Sequence, residues 1–385
     1  MKKSGVLWRL TVCFVCFAFL FAFLSVDAFA VNEESGDMPS EYYGVIDELP
    51  AEVSDKLPDG IYSDKTEDIG EALLEVVSVE YIMGFAAELV GDGLGDAVAL
   101  AAHICGIVIL SAIFEAMRKN LSESVSGAVG FCVTSAIFAA IIDVTYRQVE
   151  MVCDFFIRLD SLILSMIPVM GAVYAMGGNV STGVSSSSGM YAFLAVSEGI
   201  CARTIAPVSS VCIAMALCRG ISPSINLQGI TSGIKKCYVF LIGMIMTVLL
   251  ALLSSQTAIS AAADSTAARA AKMVTSSAIP IVGGSVAETL RTVASGVQYT
   301  KSVVGVGGIV FLMILLLPTL ISLLLTRLAL IFSGSVAELL GCEGECRIIR
   351  ELDGVWGLMI AVVAMCSVMF ILVMTVFLKT AVAIL

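Results

Sequence analysis

Twice the chain reads S-x-I-P-x-x-G, with Ser165, Pro168 and Gly171 in one copy and Ser277, Pro280 and Gly283 in the other, 112 positions apart. Proline withdraws a backbone donor and strands the carbonyl four residues earlier, and glycine relaxes the dihedrals beside it. At membrane depth, backbone broken in this way survives only inside protein or along a wet cavity. Paired breaks in corresponding halves of a chain therefore point to a passage or its gate. The alternative is a pair of ordinary kinks, which membrane helices tolerate.

Charges set inside apolar stretches raise the same question. Glu198 and Arg203 stand five apart in a run of small and apolar residues, where they can form a neutralising pair or a functional contact. Arg269 and Lys272 stand one helical turn apart just before the second copy, a positive face suited to lipid phosphate, an acidic partner or an anionic cargo. His103 is the sole histidine and has no carboxylate at helical spacing within its apolar run, a weak candidate for proton transfer.

The chemistry the chain lacks narrows its class. One histidine rules out H-E-x-x-H, and no G-x-x-x-x-G-K-[ST] occurs. Of 12 cysteines, Cys13 and Cys16 leave with the expected signal peptide, and among the rest only Cys342 and Cys346 could pair or share a metal; two thiols do not complete a zinc site. The expectation is a protein that is not an enzyme, with no cofactor, no metal and no nucleic-acid partner.

The elements that position these residues are membrane helices. Of 385 residues, 58% are hydrophobic and only 14% charged, too few to cover a soluble surface. The fold class read from this is all-α: a polytopic membrane protein with about 6–8 transmembrane or re-entrant helices and an internal duplication around the two Pro/Gly segments. Residues 1–30 read as a signal peptide, with Lys2, Lys3 and Arg9, an apolar run over 10–24, and Ala28-Phe29-Ala30 before the cleavage point. Residues 31–96 then form an acidic exported segment of net charge −16, in a chain whose total is −12. That segment is either a solvated spacer or an acidic docking surface, and apolar residues at helical spacing over 69–90 predict an amphipathic helix lying at the membrane.

The transmembrane domain is assigned to 97–385, with repeat halves near 97–203 and 204–325 and a final span over 354–378. Apolar segments fall at 97–114, 124–142, 161–178, 190–217, 237–255, 303–325 and 354–378. The basic loop at Arg118 and Lys119 is placed in the cytoplasm. The run over 190–217 is long enough for one crossing or two. A double crossing puts eight basic residues inside, among them Arg219, Lys235, Lys236, Arg327, Arg347 and Arg350; a single crossing puts seven there. The charge count favours the double crossing slightly.

The block Arg269-x-Ala271-Lys272, Thr275, Ile279-Pro280 and Gly283, followed by Lys301, Val304-Gly305 and Gly308, resembles the stage III sporulation protein AE family of endospore-forming bacteria. The resemblance runs from about 97 to 378. It implies a multi-pass protein of the mother-cell membrane around the forespore, with its N-terminal segment in the intermembrane space. It further implies membership of a channel or secretion-like complex needed for late forespore gene expression. The partners implied are other membrane and intermembrane-space proteins, including a separate ATPase subunit, which agrees with the missing P-loop. Competing readings are a stand-alone secondary transporter and a non-conducting scaffold for ring-forming partners.

Overall fold

The computed structural model describes residues 38–47, 57–117, 123–176, 182–221, 228–277 and 283–379; some side chains within them, chiefly those of 123–127, 182–188, 256–277 and 283–294, lie outside that description, as do residues 1–30, expected to be a signal peptide. Among the described residues the chain is helical, with no strand. Two short helices, α1 (Glu41–Asp47) and α2 (Thr66–Val77), precede six long ones: α3 (Val79–Met117), α4 (Glu123–Met176), α5 (Thr182–Ile221), α6 (Gln228–Ser277), α7 (Gly283–Leu339) and α8 (Glu343–Lys379). Each of the six is long and apolar enough to cross a bilayer, so the chain is an all-α, polytopic membrane protein.

The helix α2 forms where the sequence predicts helical spacing, and its apolar face meets protein. Ile69, Ala72, Leu73 and Val76 are buried on one face, while Glu67, Asp68, Glu71 and Glu75 stay exposed on the other. That buried face packs on α7, with Gly70 lying under the Tyr299 hydroxyl. Extended backbone at Ser78 ends the helix, and α3 starts at the next residue. Helix α1 sends Tyr42 into the same end of the bundle, its ring 6.3 Å from Phe311 and its hydroxyl against Gly307. Burial pushes the Tyr42 hydroxyl above its ordinary pKa, and that hydroxyl has no hydrogen-bond partner among the described residues.

Helices α7 and α8 form the centre. In the most apolar stretch of α7, 61% of residues are buried, against 11% for α6 at the periphery. Three glycines of α7 set the approach: Gly305 meets Leu378, Gly307 meets Tyr42 and Leu73, and Gly308 meets Met374 and Met166. A side chain at Gly308 would place its Cβ 2.6 Å from the Met374 methyl, so small residues fix this helix contact, as close packing in membranes requires. The α7–α8 hairpin turns at Gly341, whose φ of +75° lies in the left-handed region. The Gly341 and Cys342 amides donate to the carbonyls of Glu338 and Ala337, closing the end of α7.

Side-chain contacts give the helix directions. Tyr191 meets Met374 and Cys201 meets Cys366, so α5 runs antiparallel to α8. Lys235 meets Glu351 and Gly243 meets Met365, so α6 runs parallel to it. Gln148 bonds Ser322 and Thr326 while Met166 meets Gly308, which sets α4 antiparallel to α7.

Two sequence expectations change here, and they compensate. Residues 124–142 and 161–178 are not separate spans. The stretch between them continues one 54-residue helix, because Val152, Phe155, Phe156 and Leu159 bury a continuous face while Asp143, Arg147, Glu150 and Asp154 stay exposed. Residues 190–217 cross once rather than twice, inside α5. The charge count could not see either change. Their joint effect leaves Lys235, Arg327, Arg347 and Arg350 at the end where α3 finishes and α4 begins, the distribution expected of the double crossing.

Candidate functional site

Three charged features stand out in the bundle. The first is at the end capped by α1 and α2. Lys301 of α7 is buried, and its ammonium lies 5.7 Å from the Tyr174 ring centre and 5.3 Å from that of Phe377. The two rings meet edge to face at 5.6 Å. Rings from α4 and α8 thus hold a cation of α7 through their negative faces, an attraction that strengthens as water is excluded.

The second is a polar belt at the opposite end of the spans. Arg327 donates through Nε to Asp353 Oδ1 at 2.8 Å, and Lys235 donates to the Glu351 carbonyl at 3.1 Å. Gln148 donates to the hydroxyls of Ser322 and Thr326 at 2.8 and 3.1 Å. Residues 302–326 of α7 and 354–378 of α8 each run 25 positions without a charge between the Lys301 and Arg327 levels. At about 1.5 Å per residue such a run exceeds the ~30 Å hydrocarbon core.

The third follows from helix register. Phe85 of α3 lies beside Val310, Met313, Ile314 and Leu317, and Gly93 lies against Leu325. Glu88 therefore falls at mid-depth of the α7 span, and it is exposed. On α4, Gln148 sits at Thr326 and Met166 at Gly308, so Asp154 falls inside the span near the level of Leu320, while Glu150 lies close to the belt; both are exposed. The outward faces of α3 and α4 are thus acidic alongside the most apolar part of the bundle. Helix α6 presents the opposite character, with Phe240, Leu241, Met244 and Val248 exposed.

A family model described as stage III sporulation protein AE matches residues 69–381. The chain belongs to that family. No curated protein and no solved structure matches it. Membership makes this multi-pass protein a stage III sporulation protein. The match begins within α2, so the packed helix α2 and nearly all of the bundle fall inside it.

The residues singled out in the sequence fare unevenly within this family member. Glu198 and Arg203 do not neutralise each other. Five residues turn a helix about 140° past a full revolution, which buries Glu198 and leaves Arg203 exposed, within electrostatic reach of Asp160 on α4. Both carboxyl oxygens of Glu198 lack a hydrogen-bond partner among the described residues. Beside it, the Cys366 and Cys201 sulfurs lie 3.4 Å apart. At the first S-x-I-P-x-x-G copy the helix is unbroken: α4 runs through Pro168, Ser165 bonds the Leu162 carbonyl, and the surroundings of Gly171 are open. At the second copy, Ser277 ends α6 and Gly283 begins α7, while Pro280 lies outside the described residues. Arg269 and Lys272 are in α6, with side chains outside the description.

His103 is exposed. Cys342 and Cys346 are buried free thiols, and no group of residues suited to a metal occurs among those described. Sequence reasoning did not single out Arg327 with Asp353. The available signal was that each closes an uncharged run of 25 residues.

Proposed function

We infer that this protein is a membrane subunit of a channel or secretion-like complex between mother cell and forespore, needed for late forespore gene expression. The observation that carries the reading is the acidic outward face of α3 and α4 at span depth. Exposed Glu88 and Asp154 are expensive against lipid, and ionisable residues within a span face water-filled cavities or protein. A subunit of an assembly can meet either at that depth. The apolar hairpin formed by the end of α3 and the start of α4 supports the same reading. It passes the polar belt, with Ser111 meeting Glu345 and Cys105 meeting Ser333, and it exposes Ile109, Leu110, Ile113 and Phe131. One flat bilayer cannot cover both that hairpin and the spans on the other side of the belt.

In this reading the acidic N-terminal segment faces the intermembrane space, where it meets exported partners, and a separate ATPase subunit supplies energy. The second proline segment, between Ser277 and Gly283 where α6 ends and α7 begins, is assigned to the conduit or its gate; the first, inside unbroken α4, is read as an ordinary helix proline. A second reading, a secondary transporter acting alone, is favoured by buried Glu198, set beside the Cys366 thiol at a level where a substrate or proton could be held. Reconstitution separates them, because a transporter shows substrate-dependent flux by itself and a channel subunit needs its partners.

The test is thiol accessibility in membranes of sporulating cells. Cysteines placed at Glu88, Glu150 and Asp154 are expected to react with a membrane-impermeant thiol reagent, or to be shielded only when the partners are present. Cysteines at Met244 and Val248 are expected to stay unreactive under both conditions. Protection at Glu150 and Asp154 that persists without partners, equal to that at Met244, contradicts the reading.

A further inference from the structure

At the belt, α6 and α8 diverge to leave a groove of about 430 Å³. Its upper wall carries Lys235 and Lys236, and below them the lining is apolar: Val239, Phe240, Leu358 and Ala361. Two glycines of α8 create the space for the cations. A Cβ at Gly354 would sit 2.7 Å from the Lys235 ammonium, and one at Gly357 would sit 3.2 Å from the Arg327 guanidinium. Any larger residue at 354 would drive the ammonium away from the helix surface.

Around the groove itself the charges do not cancel. Arg327 pairs with Asp353, and Glu351 lies 4.0 Å from Lys235, but Lys236 is exposed with no carboxylate against it among the described residues. One positive charge is left over at the head of an apolar groove. The groove opens beside Phe240 and Met244, on the outward side of α6, where Leu241 and Val248 are exposed as well. A soluble anion would find the two lysines but would have no use for the apolar wall below them. An acyl chain has use for both.

We propose that this groove holds one anionic phospholipid, with its phosphate on Lys235 and Lys236 and an acyl chain along Val239, Phe240, Leu358 and Ala361. Basic pockets between membrane helices at the polar boundary bind anionic headgroups through this combination of charge and apolar wall. A zwitterionic headgroup fits worse, because its own ammonium would meet the surplus positive charge. Since α6 is the least buried span, lipid in the groove fastens it to α8 beyond what protein contacts supply. Lipid bound there stabilises the folded chain by mass action.

The experiment uses the full chain purified in a neutral detergent and follows its Tm on addition of phosphatidylglycerol, phosphatidylcholine or inorganic phosphate. Phosphatidylglycerol is expected to raise Tm in a saturable way, and the other two are not. Lys236→Ala is expected to weaken the apparent affinity about fivefold, the contribution of one lysine near an anionic surface. Ala361→Phe fills the apolar wall without touching a charge and is expected to abolish the saturable shift. Native mass spectrometry of the parent is expected to retain one phosphatidylglycerol per chain, a readout that does not depend on either variant folding. An equal shift with phosphatidylcholine overturns the proposal, as does an equal shift with inorganic phosphate. Unchanged phosphatidylglycerol affinity in both variants, or no retained lipid on the parent, overturns it as well.

Discussion

Replacing Arg327 by methionine should cost far more than replacing Arg327 and Asp353 together. The pair joins α7 to α8 at 2.8 Å, with side chains only 13% and 24% exposed. With charge centres about 4 Å apart in a medium of effective dielectric near 20, the attraction is about 4 kcal/mol, most of which only offsets the desolvation of both ions. Methionine keeps an apolar stem of similar length and removes the guanidinium that lies against Gly357. Asp353 is then left as an uncompensated, mostly buried charge, a loss of about 3 kcal/mol. Changing Asp353 to leucine in the same chain removes that charge, and the double variant should lie within about 1 kcal/mol of the parent. The measurement is reversible unfolding of the purified chain in mixed detergent micelles, completed as a double-mutant cycle. A coupling of about 2 kcal/mol or more is expected. If Arg327→Met alone costs less than about 1 kcal/mol, or the two single costs simply add, then the pair is not holding these helices together and the reasoning fails.

Three further outcomes follow from the same packing. Tyr42→Phe removes a buried hydroxyl that bonds nothing among the described residues and should be neutral or stabilising by up to about 1 kcal/mol; a loss of stability on unfolding would show an unrecognised partner. Gly308→Leu should destabilise by about 2–3 kcal/mol through overpacking against Met374 and Met166, whereas Gly308→Ala should be close to neutral because the methionine ends can swing aside and alanine favours the helix; equal effects would refute the close approach of α7 to α8. Reversing Arg269 and Lys272 to glutamate should block late forespore gene expression at normal protein level and localisation if they meet an acidic partner or cargo, and should lower insertion if they only anchor lipid; parental abundance, localisation and sporulation would exclude both roles.

The sequence by itself determined the class of this protein. Uncharged runs such as 302–326 and 354–378 have only one low-energy arrangement in a cell, a helix across a bilayer, because hydrocarbon leaves every backbone group to be satisfied within its own segment. Family membership was legible for a related reason, in that it rests on local motifs around Lys272 and Lys301.

The tertiary structure decided what depends on register between distant segments. That 143–160 continues α4 rather than linking two spans follows from Val152, Phe155 and Leu159 finding a buried surface on neighbouring helices. Hydropathy averaged along the chain saw only the charges on the other side of that helix. Glu198 and Arg203 looked like partners at close spacing, yet the turn of α5 and the position of α8 buried one and exposed the other. The acidic face of α3 and α4 became visible only when Glu88 and Asp154 were brought alongside residues 310–325, more than 150 positions away in the chain. Period and composition are local properties that a segment carries with it; depth, partner and burial are relations between segments, and packing alone sets them.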